Sequence, residues 1–289
     1  MLNKSIKSPV NIPVSKIHPF EGNPYKVLDN DEMNTLICSI QEQGVLTPII
    51  IRPIENTDEY EVISGHRRLH ATVKAGMKEV PAFIYAVTRD EAAIMLVDSN
   101  LYREHILPSE KAFAYKLKLE AIKRQGERTD LTSDQVGRKL ESAELIANKS
   151  DDSKTQVRRY IRLTNLIPEL LELVDEEKIA LTPAVELSYL SDEEQYSLLG
   201  TIEEEDRTPS LSQAVRFKKL SQAGKLSDND IETIMQEDKA NQKPMCKVPI
   251  EKLQKVAPKV KDKDFEDFVL KACEHYYRYL QRQRNRDAR

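Results

Sequence analysis

The residue types that stand out first for their chemistry lie in one short turn, Gly65–Arg68. An apolar run, Tyr60–Ser64, precedes the turn and predicts a short strand, and a helical pattern follows it. Arg67 and Arg68 therefore fall in the first turn of a helix, where the helix dipole disfavours positive side chains. The arrangement becomes favourable when an anion binds backbone N–H groups and guanidinium groups together. The turn thus predicts a phosphate site and a protein that handles nucleotides or nucleic acid.

A second pattern, between Ala143 and Leu163, is typical of a helix-turn-helix. Ser153 is expected to cap the second helix, and Val157 and Ile161 to face the first one. Such a helix can enter a major groove and read base edges while it contacts phosphates. An ordinary helical hairpin with a solvated basic face is the alternative. The candidate DNA-binding residues are Ser153, Lys154, Thr155, Gln156, Arg158, Arg159 and Arg162.

Asn100 and Arg103 form a third pattern, three residues apart at the end of a predicted helix. An amide and a guanidinium on one helical face could contact a phosphate or a metal-bound oxygen. Taken alone, the pattern is better explained by a polar helix end that precedes the proline-started helix at Pro108.

The composition restricts the class of protein. The 289 residues can form two or three domains, and charged residues make up 32% of a chain with 6% aromatics. There is no apolar run of the ~20 residues that span a membrane, and no secretory signal, so we expect a cytoplasmic, helix-rich protein. A net charge of −4 means that a nucleic-acid binder must concentrate its basic residues locally. Cys38, Cys246 and Cys273 form no metal-binding or disulfide pattern, and Cys38 is expected to be buried.

The order of predicted elements gives an α+β fold. A small mixed α/β N-terminal domain precedes an all-helical helix-turn-helix domain and a helical C-terminal region, which offers a possible dimer interface or basic tail. The expected domains are 1–107, 108–207 and 208–289. Linkers are expected at 126–130 and 239–249, and a terminal amphipathic helix at 264–284. The strands are expected at 11–17, 47–54, 60–64 and 79–87, with helices at 31–43, from 66 and at 90–101.

The three patterns, in this order, resemble the ParB family of DNA partition proteins. The segment Gly44–Arg52 is similar to one that precedes the glycine–arginine turn of that family. The turn itself, here Gly65–Ala71, is followed by an Asn-x-x-Arg box, Asn100–Arg103, and then by the helix-turn-helix. The resemblance covers residues 10 to about 190. It looks closest to members carried on mobile elements of Gram-positive bacteria.

The resemblance implies a clamp-like homodimer that binds a palindromic site in double-stranded DNA. It also implies CTP and Mg²⁺ binding by the N-terminal domain, with Asn100 beside the metal. A ParA-type ATPase would bind the N-terminal tail, where this chain has Lys4 and Lys7 but no arginine. Such a protein is associated with the nucleoid. The residues expected at the nucleotide are Gly65, His66, Arg67, Arg68, Asn100 and Arg103.

Two positions depart from the family pattern. His66 replaces the acidic residue of the glycine–arginine turn, and Ser99 replaces the acidic residue before the asparagine. A hard cation prefers carboxylate oxygens, so these replacements weaken the expectation of Mg²⁺ more than that of the triphosphate. At most a weak CTPase is expected.

Three functions remain open from the sequence. The first is a partition protein of a chromosome, plasmid or conjugative element that acts as a CTP-responsive DNA clamp. The second is a helix-turn-helix transcriptional regulator of a mobile element, without a nucleotide cycle. The third is an enzyme built on the same N-terminal fold.

Overall fold

The N-terminal part of the chain forms a five-stranded mixed sheet covered by helices. The computed structural model describes residues 8–101, 103, 105–130, 146, 152–237, 260 and 265–287. The strands are β1 (Val10–Pro13), β2 (Ile17–His18), β3 (Ile49–Pro53), β4 (Tyr60–Ser64) and β5 (Glu79–Ile84), in the order β1-β5-β3-β4-β2. β3 and β4 form an antiparallel hairpin, whereas β3 pairs with β5 in parallel. The predicted α+β class is confirmed.

The predicted first strand, 11–17, is two strands at opposite edges of the sheet. β1 pairs with β5 and ends at Pro13, and a 3-10 turn at Val14–Lys16 carries the chain across to β2, which pairs with β4. Proline has no backbone N–H to donate to a ladder, which favours the end of β1 at this position. The prediction of one continuous strand was wrong.

The two faces of the sheet bind different helices. Successive strand residues point to opposite faces, so Val62 packs in a cluster with Leu69, while Ile63 packs in another with Leu96. The helices of this part are α1 (Asp31–Gln43), α2 (His66–Lys74) and α3 (Arg89–Asn100). α1 is capped by the Asn30 side chain and ends at Gly44, which adopts a φ of 71°. The sheet thus places the start of α2 directly after β4.

The described residues between 108 and 237 are largely helical, as the sequence predicts. The helices are α4 (Pro108–Asp130), α5 (Lys154–Leu163), α6 (Pro168–Asp175), α7 (Leu181–Leu187), α8 (Asp192–Glu205), α9 (Leu211–Gln222) and α10 (Asp228–Gln236). Helices α6 through α10 share one apolar core, which includes Leu170, Leu187, Leu198 and Phe217. The linker predicted at 126–130 is instead the last part of α4, because a single glycine is tolerated within a long helix.

The chain divides into two compact units, Met1–Glu237 and Asp238–Arg289. In the second unit, the predicted terminal helix is confirmed as α11 (Phe265–Asp287), on which Phe268, Tyr276 and Tyr277 are exposed. The linker predicted at 239–249 lies outside the described residues, and the three-domain division stays a prediction. Over the described ranges, no helix has the length and apolar character needed to cross a membrane.

Candidate functional site

Gly65 forms the junction between β4 and α2 in the left-handed conformation, with φ 101° and ψ 27°. A Cβ atom on this residue would lie 2.8 Å from Cγ2 of Ile49, so both the backbone angle and the space require glycine. Gly65 has no side chain with which to cap the first turn of α2. Backbone N–H groups at a helix start are suited to an anion, and a glycine lets that anion approach closely.

Arg68 contributes a positive charge to this helix start. Its Nη1 donates hydrogen bonds to the carbonyl oxygens of Thr47, at 2.5 Å, and Pro48, at 2.8 Å. Burial lowers the pKa of the half-buried guanidinium, which nevertheless stays charged. In the described part of the chain, no carboxylate pairs with it. The site therefore holds a fixed cation that lies against two carbonyl oxygens.

Arg67 has a different environment from its neighbour. Its guanidinium lies 3.0 Å from Oε2 of Glu32 on α1, and the two side chains are 41% and 72% exposed. An exposed ion pair of this kind contributes little free energy. An incoming phosphate could therefore replace Glu32 at small cost.

His66 is neutral at ordinary pH. Its Nε2 accepts a hydrogen bond from the backbone N–H of Phe20, at 3.4 Å. Burial, followed by the nearby charge of Arg103, lowers the pKa of the imidazole to about 4. The residue that replaces a family carboxylate thus brings no negative charge to the turn.

The Asn100–Arg103 box lies at the end of α3. Asn100 is buried, and its Nδ2 donates to the carbonyl oxygen of Leu96, at 2.7 Å, and to Ser99 Oγ, at 3.3 Å. Arg103 is exposed and lies 5.5 Å from the ring centroid of Tyr25. Because Arg103 depresses the pKa of His66, the box and the glycine–arginine turn share one electrostatic environment.

Within the described residues, no donor set for a metal held by protein side chains alone is present. Among the residues that the structure describes, no group of three or more His, Cys, Asp or Glu side chains could hold a metal ion. Ser99 Oγ donates to the carbonyl oxygen of Leu96, and Asp98 is engaged in an ion pair with Lys118. The assignment of Asn100 to a metal therefore stays an expectation from the resemblance alone.

Three features of the site were not predicted from the sequence. They are the carbonyl oxygens that hold Arg68, the Glu32 partner of Arg67 and the buried Lys118. Lys118 left a sequence signal, because it shares one helical face with the apolar residues Ala114, Tyr115 and Ala121.

The second helix of the predicted helix-turn-helix is α5. Ser153 caps it by accepting a hydrogen bond from the backbone N–H of Gln156, at 3.2 Å. Val157 is buried against Tyr115 and Ile146, with Ile161 beside them, which agrees with the predicted inner face. In the predicted first helix and turn of this motif, the structure describes only Ile146 and Asp152. Ser153, Thr155 and Arg158 are exposed, while Lys154, Gln156 and Arg159 are half-buried.

Arg162 is engaged within the protein. Its Nε donates to Ser188 Oγ, at 3.2 Å, and its Nη2 donates to the carbonyl oxygen of Ser188, at 2.9 Å. The guanidinium also lies 3.9 Å from the ring centroid of Tyr189. Arg162 is held against the end of α7, and this placement favours a structural role.

Comparison with known proteins gives the context of these two sites. Residues 2–101 match the family described as the ParB N-terminal domain. The chromosome-partitioning protein Spo0J of Thermus thermophilus is 31% identical over 227 residues, which are 78% of this chain and 77% of that protein. The nucleoid occlusion protein of Listeria innocua is 30% identical over 205 residues, 71% of this chain, and the match spans 66% of its length, slightly under two thirds.

A solved structure shows similarity at a lower level. It is the C-terminally truncated partition protein ParB of Caulobacter crescentus, complexed to the centromeric parS site, with a TM-score of 0.42 and 20% identity. The match covers 78% of this chain and 98% of that one. The mixed α/β domain with its glycine–arginine turn lies within the residues that match the ParB N-terminal domain. On the Thermus identity and coverage, the chain belongs to the ParB-type family of DNA partition proteins.

Proposed function

We propose that this protein binds a specific palindromic site in double-stranded DNA as a homodimer and serves the partition of a chromosome, plasmid or conjugative element. It acts on the nucleoid, in the cytoplasm. The observation that carries the proposal is α5, a capped helix with Val157 packed inward and Thr155 and Arg158 exposed. Two copies of one short helix roughly double the base contacts, which supplies the specificity that a single half-site lacks.

The N-terminal domain supplies a nucleotide-responsive element in this proposal. Three features of the turn fit a triphosphate. They are the start of α2, which Gly65 cannot cap with a side chain, the space left by that glycine, and the charge of Arg68, with which no described carboxylate pairs. The family resemblance points to CTP. A triphosphate bound there would supply the negative charge that the helix start lacks. Arg67 would exchange Glu32 for a phosphate oxygen.

The site offers fewer groups for nucleotide hydrolysis than for nucleotide binding. His66 is neutral, Ser99 is hydrogen-bonded to its own helix, and the described residues form no cluster of three or more His, Cys, Asp or Glu side chains for a metal. We therefore assign nucleotide binding to the turn and at most a weak CTPase activity to the protein. A ParA-type ATPase is the proposed partner of the N-terminal tail, of which residues 1–7 lie outside the described ranges.

Crosslinking the protein to DNA in cells and mapping the bound fragments tests the proposed function. A sharp peak with broad shoulders is expected, because a clamp loads at its site and then spreads. Narrow peaks at promoters would favour the regulator without a nucleotide cycle. An Arg158→Ala variant should lose the peak, whereas Arg216→Ala, on the exposed surface of α9, should keep it.

A further inference from the structure

The carboxylate of Asp152 connects the start of α5, the second helix of the predicted helix-turn-helix, to α4. Asp152 immediately precedes the cap residue Ser153, and its Oδ2 lies 2.5 Å from the hydroxyl oxygen of Tyr115, which donates to it. The same oxygen lies 2.6 Å from Nζ of Lys111. Tyr115 and Lys111 are four residues apart on α4, and therefore lie on one helical face.

The same two residues contact α5 again further along. The ring of Tyr115 meets that of Tyr160 edge to face, with centroids 6.0 Å apart, and Nζ of Lys111 lies 4.8 Å from the Tyr160 centroid. α4 thus holds α5 both before its first turn and two turns later, through a polar contact and an aromatic one.

Burial makes the polar contact effective. Tyr115 is fully buried, while the side chains of Lys111 and Asp152 are 24% and 17% exposed. Partly desolvated charges interact more strongly than those at the surface. Lys111 also balances the Asp152 charge, which would otherwise repel DNA phosphates beside the helix start.

We propose that Tyr115, Lys111 and Asp152 are positioning residues that set the angle at which α5 meets a DNA groove. This inference rests on the proposed DNA-binding function. The three residues control discrimination between sequences by orienting the side chains of Gln156 and Arg158. Base contacts depend on that angle, whereas a general attraction to phosphates tolerates a change in it.

Tyr115→Phe tests the inference, because it removes the hydroxyl and keeps the ring. The probes are the duplex that the parent protein enriches from a randomised library and a scrambled duplex of equal length. We expect affinity for the enriched duplex to fall about tenfold, with affinity for the scrambled duplex and its salt dependence unchanged. Tyr196→Phe, which alters an exposed tyrosine of α8, is the matched control and should behave as the parent.

Further variants separate positioning from a loss of folding. Asp152→Asn keeps an acceptor for Tyr115 and should retain more preference for the enriched duplex than Asp152→Ala. Lys111→Met should lower the preference as Tyr115→Phe does, and it decides the question if Tyr115→Phe does not fold. The inference would be overturned if Tyr115→Phe and Lys111→Met kept the parent's preference, or if they lost affinity equally for both duplexes. Either result would leave the proposed DNA-binding function standing. If the parent enriched no duplex, the proposed function would fail as well.

Discussion

Lys118 of α4 forms an ion pair with Asp98 of α3, and the lysine side chain is only 1% exposed. Asp98 precedes Asn100 by two residues, so this pair ties the end of the Asn-x-x-Arg helix to α4. Ser99 stands where the family pattern has an acidic residue before the asparagine. Asp98 is the neighbouring carboxylate, but it is paired with Lys118.

Removal of Asp98 is expected to destabilise the protein strongly. In Asp98→Ala, the buried ammonium of Lys118 loses its partner, and the free energy of unfolding should fall by about 3 kcal/mol. Urea denaturation followed by circular dichroism measures this change. The double variant Asp98→Ala with Lys118→Met should recover most of the loss, since no charge is then left buried. Equal stability of the single and double variants would contradict the explanation.

Gly65→Ala is expected to cost more stability than the same change at Gly76. Both glycines have a positive φ, 101° and 75°, but only the new Cβ at position 65 would meet another atom, at 2.8 Å. The φ of Gly65 lies further from the left-handed region that alanine tolerates, and its Cβ would also crowd Ile49, so both effects act in the same direction. The difference should be at least about 1 kcal/mol. Thermal unfolding of the two variants side by side measures it. A Gly76→Ala variant that is the less stable would show that the turn is looser than described.

Acid is expected to destabilise the N-terminal domain through His66. The folded-state pKa of about 4 lies below the ordinary value of 6.5, so the unfolded chain takes up the proton first as the pH falls. Stability is therefore greatest above pH 6.5 and is lost between pH 6.5 and 4, by about 3 kcal/mol for this group.

The pH dependence can be assigned to His66 with one variant. His66→Gln keeps an acceptor for the Phe20 N–H but has no proton to gain in this range. Its unfolding free energy should vary less between pH 7 and 4 than that of the parent. An imidazole resonance of His66 that titrates near pH 6.5 in the folded protein would refute the assignment.

Gln156→Ala and Arg158→Ala are expected to lower sequence preference without removing general DNA binding. Each lost base contact should reduce the preference for the enriched duplex by about 1–3 kcal/mol, while salt-sensitive binding to a scrambled duplex remains. Fluorescence anisotropy at several salt concentrations measures both quantities. Parent-like footprints for both variants would mean that α5 is not the reading helix.

Arg162→Ala provides the contrast on the same helix. Because its guanidinium is bonded to Ser188 and lies against Tyr189, the variant should unfold at a lower temperature. Its salt dependence of DNA binding should match that of the parent.

Local signals explain why much of the fold could be predicted. A short apolar run marks β4, Asn30 and Gly44 bound α1, and Pro108 starts α4, each through chemistry within a few residues. Predictions failed where the deciding contact is distant. Cys38 is exposed although it was expected to be buried, because α1 packs through Met33 and Ile40.

The site was predictable in its charge but not in its contacts. Two arginines at a helix start identify an anion site from sequence, and Gly65 needs its left-handed φ for a local reason. That Arg68 bonds Thr47 and Pro48, while Arg67 bonds Glu32, depends on how β3 and α1 pack beside α2. These partners lie 20 or more residues away, where sequence spacing carries no information.

The proposal of a triphosphate at the start of α2 is tested most directly by calorimetric titration of CTP into the intact protein, Arg68→Ala and Arg216→Ala. We expect saturable binding to the intact protein, unchanged in Arg216→Ala and weakened at least about tenfold in Arg68→Ala. No saturable binding of CTP to the intact protein, or equal affinity in Arg68→Ala, would contradict the account and leave a sequence-reading DNA-binding protein without a nucleotide switch.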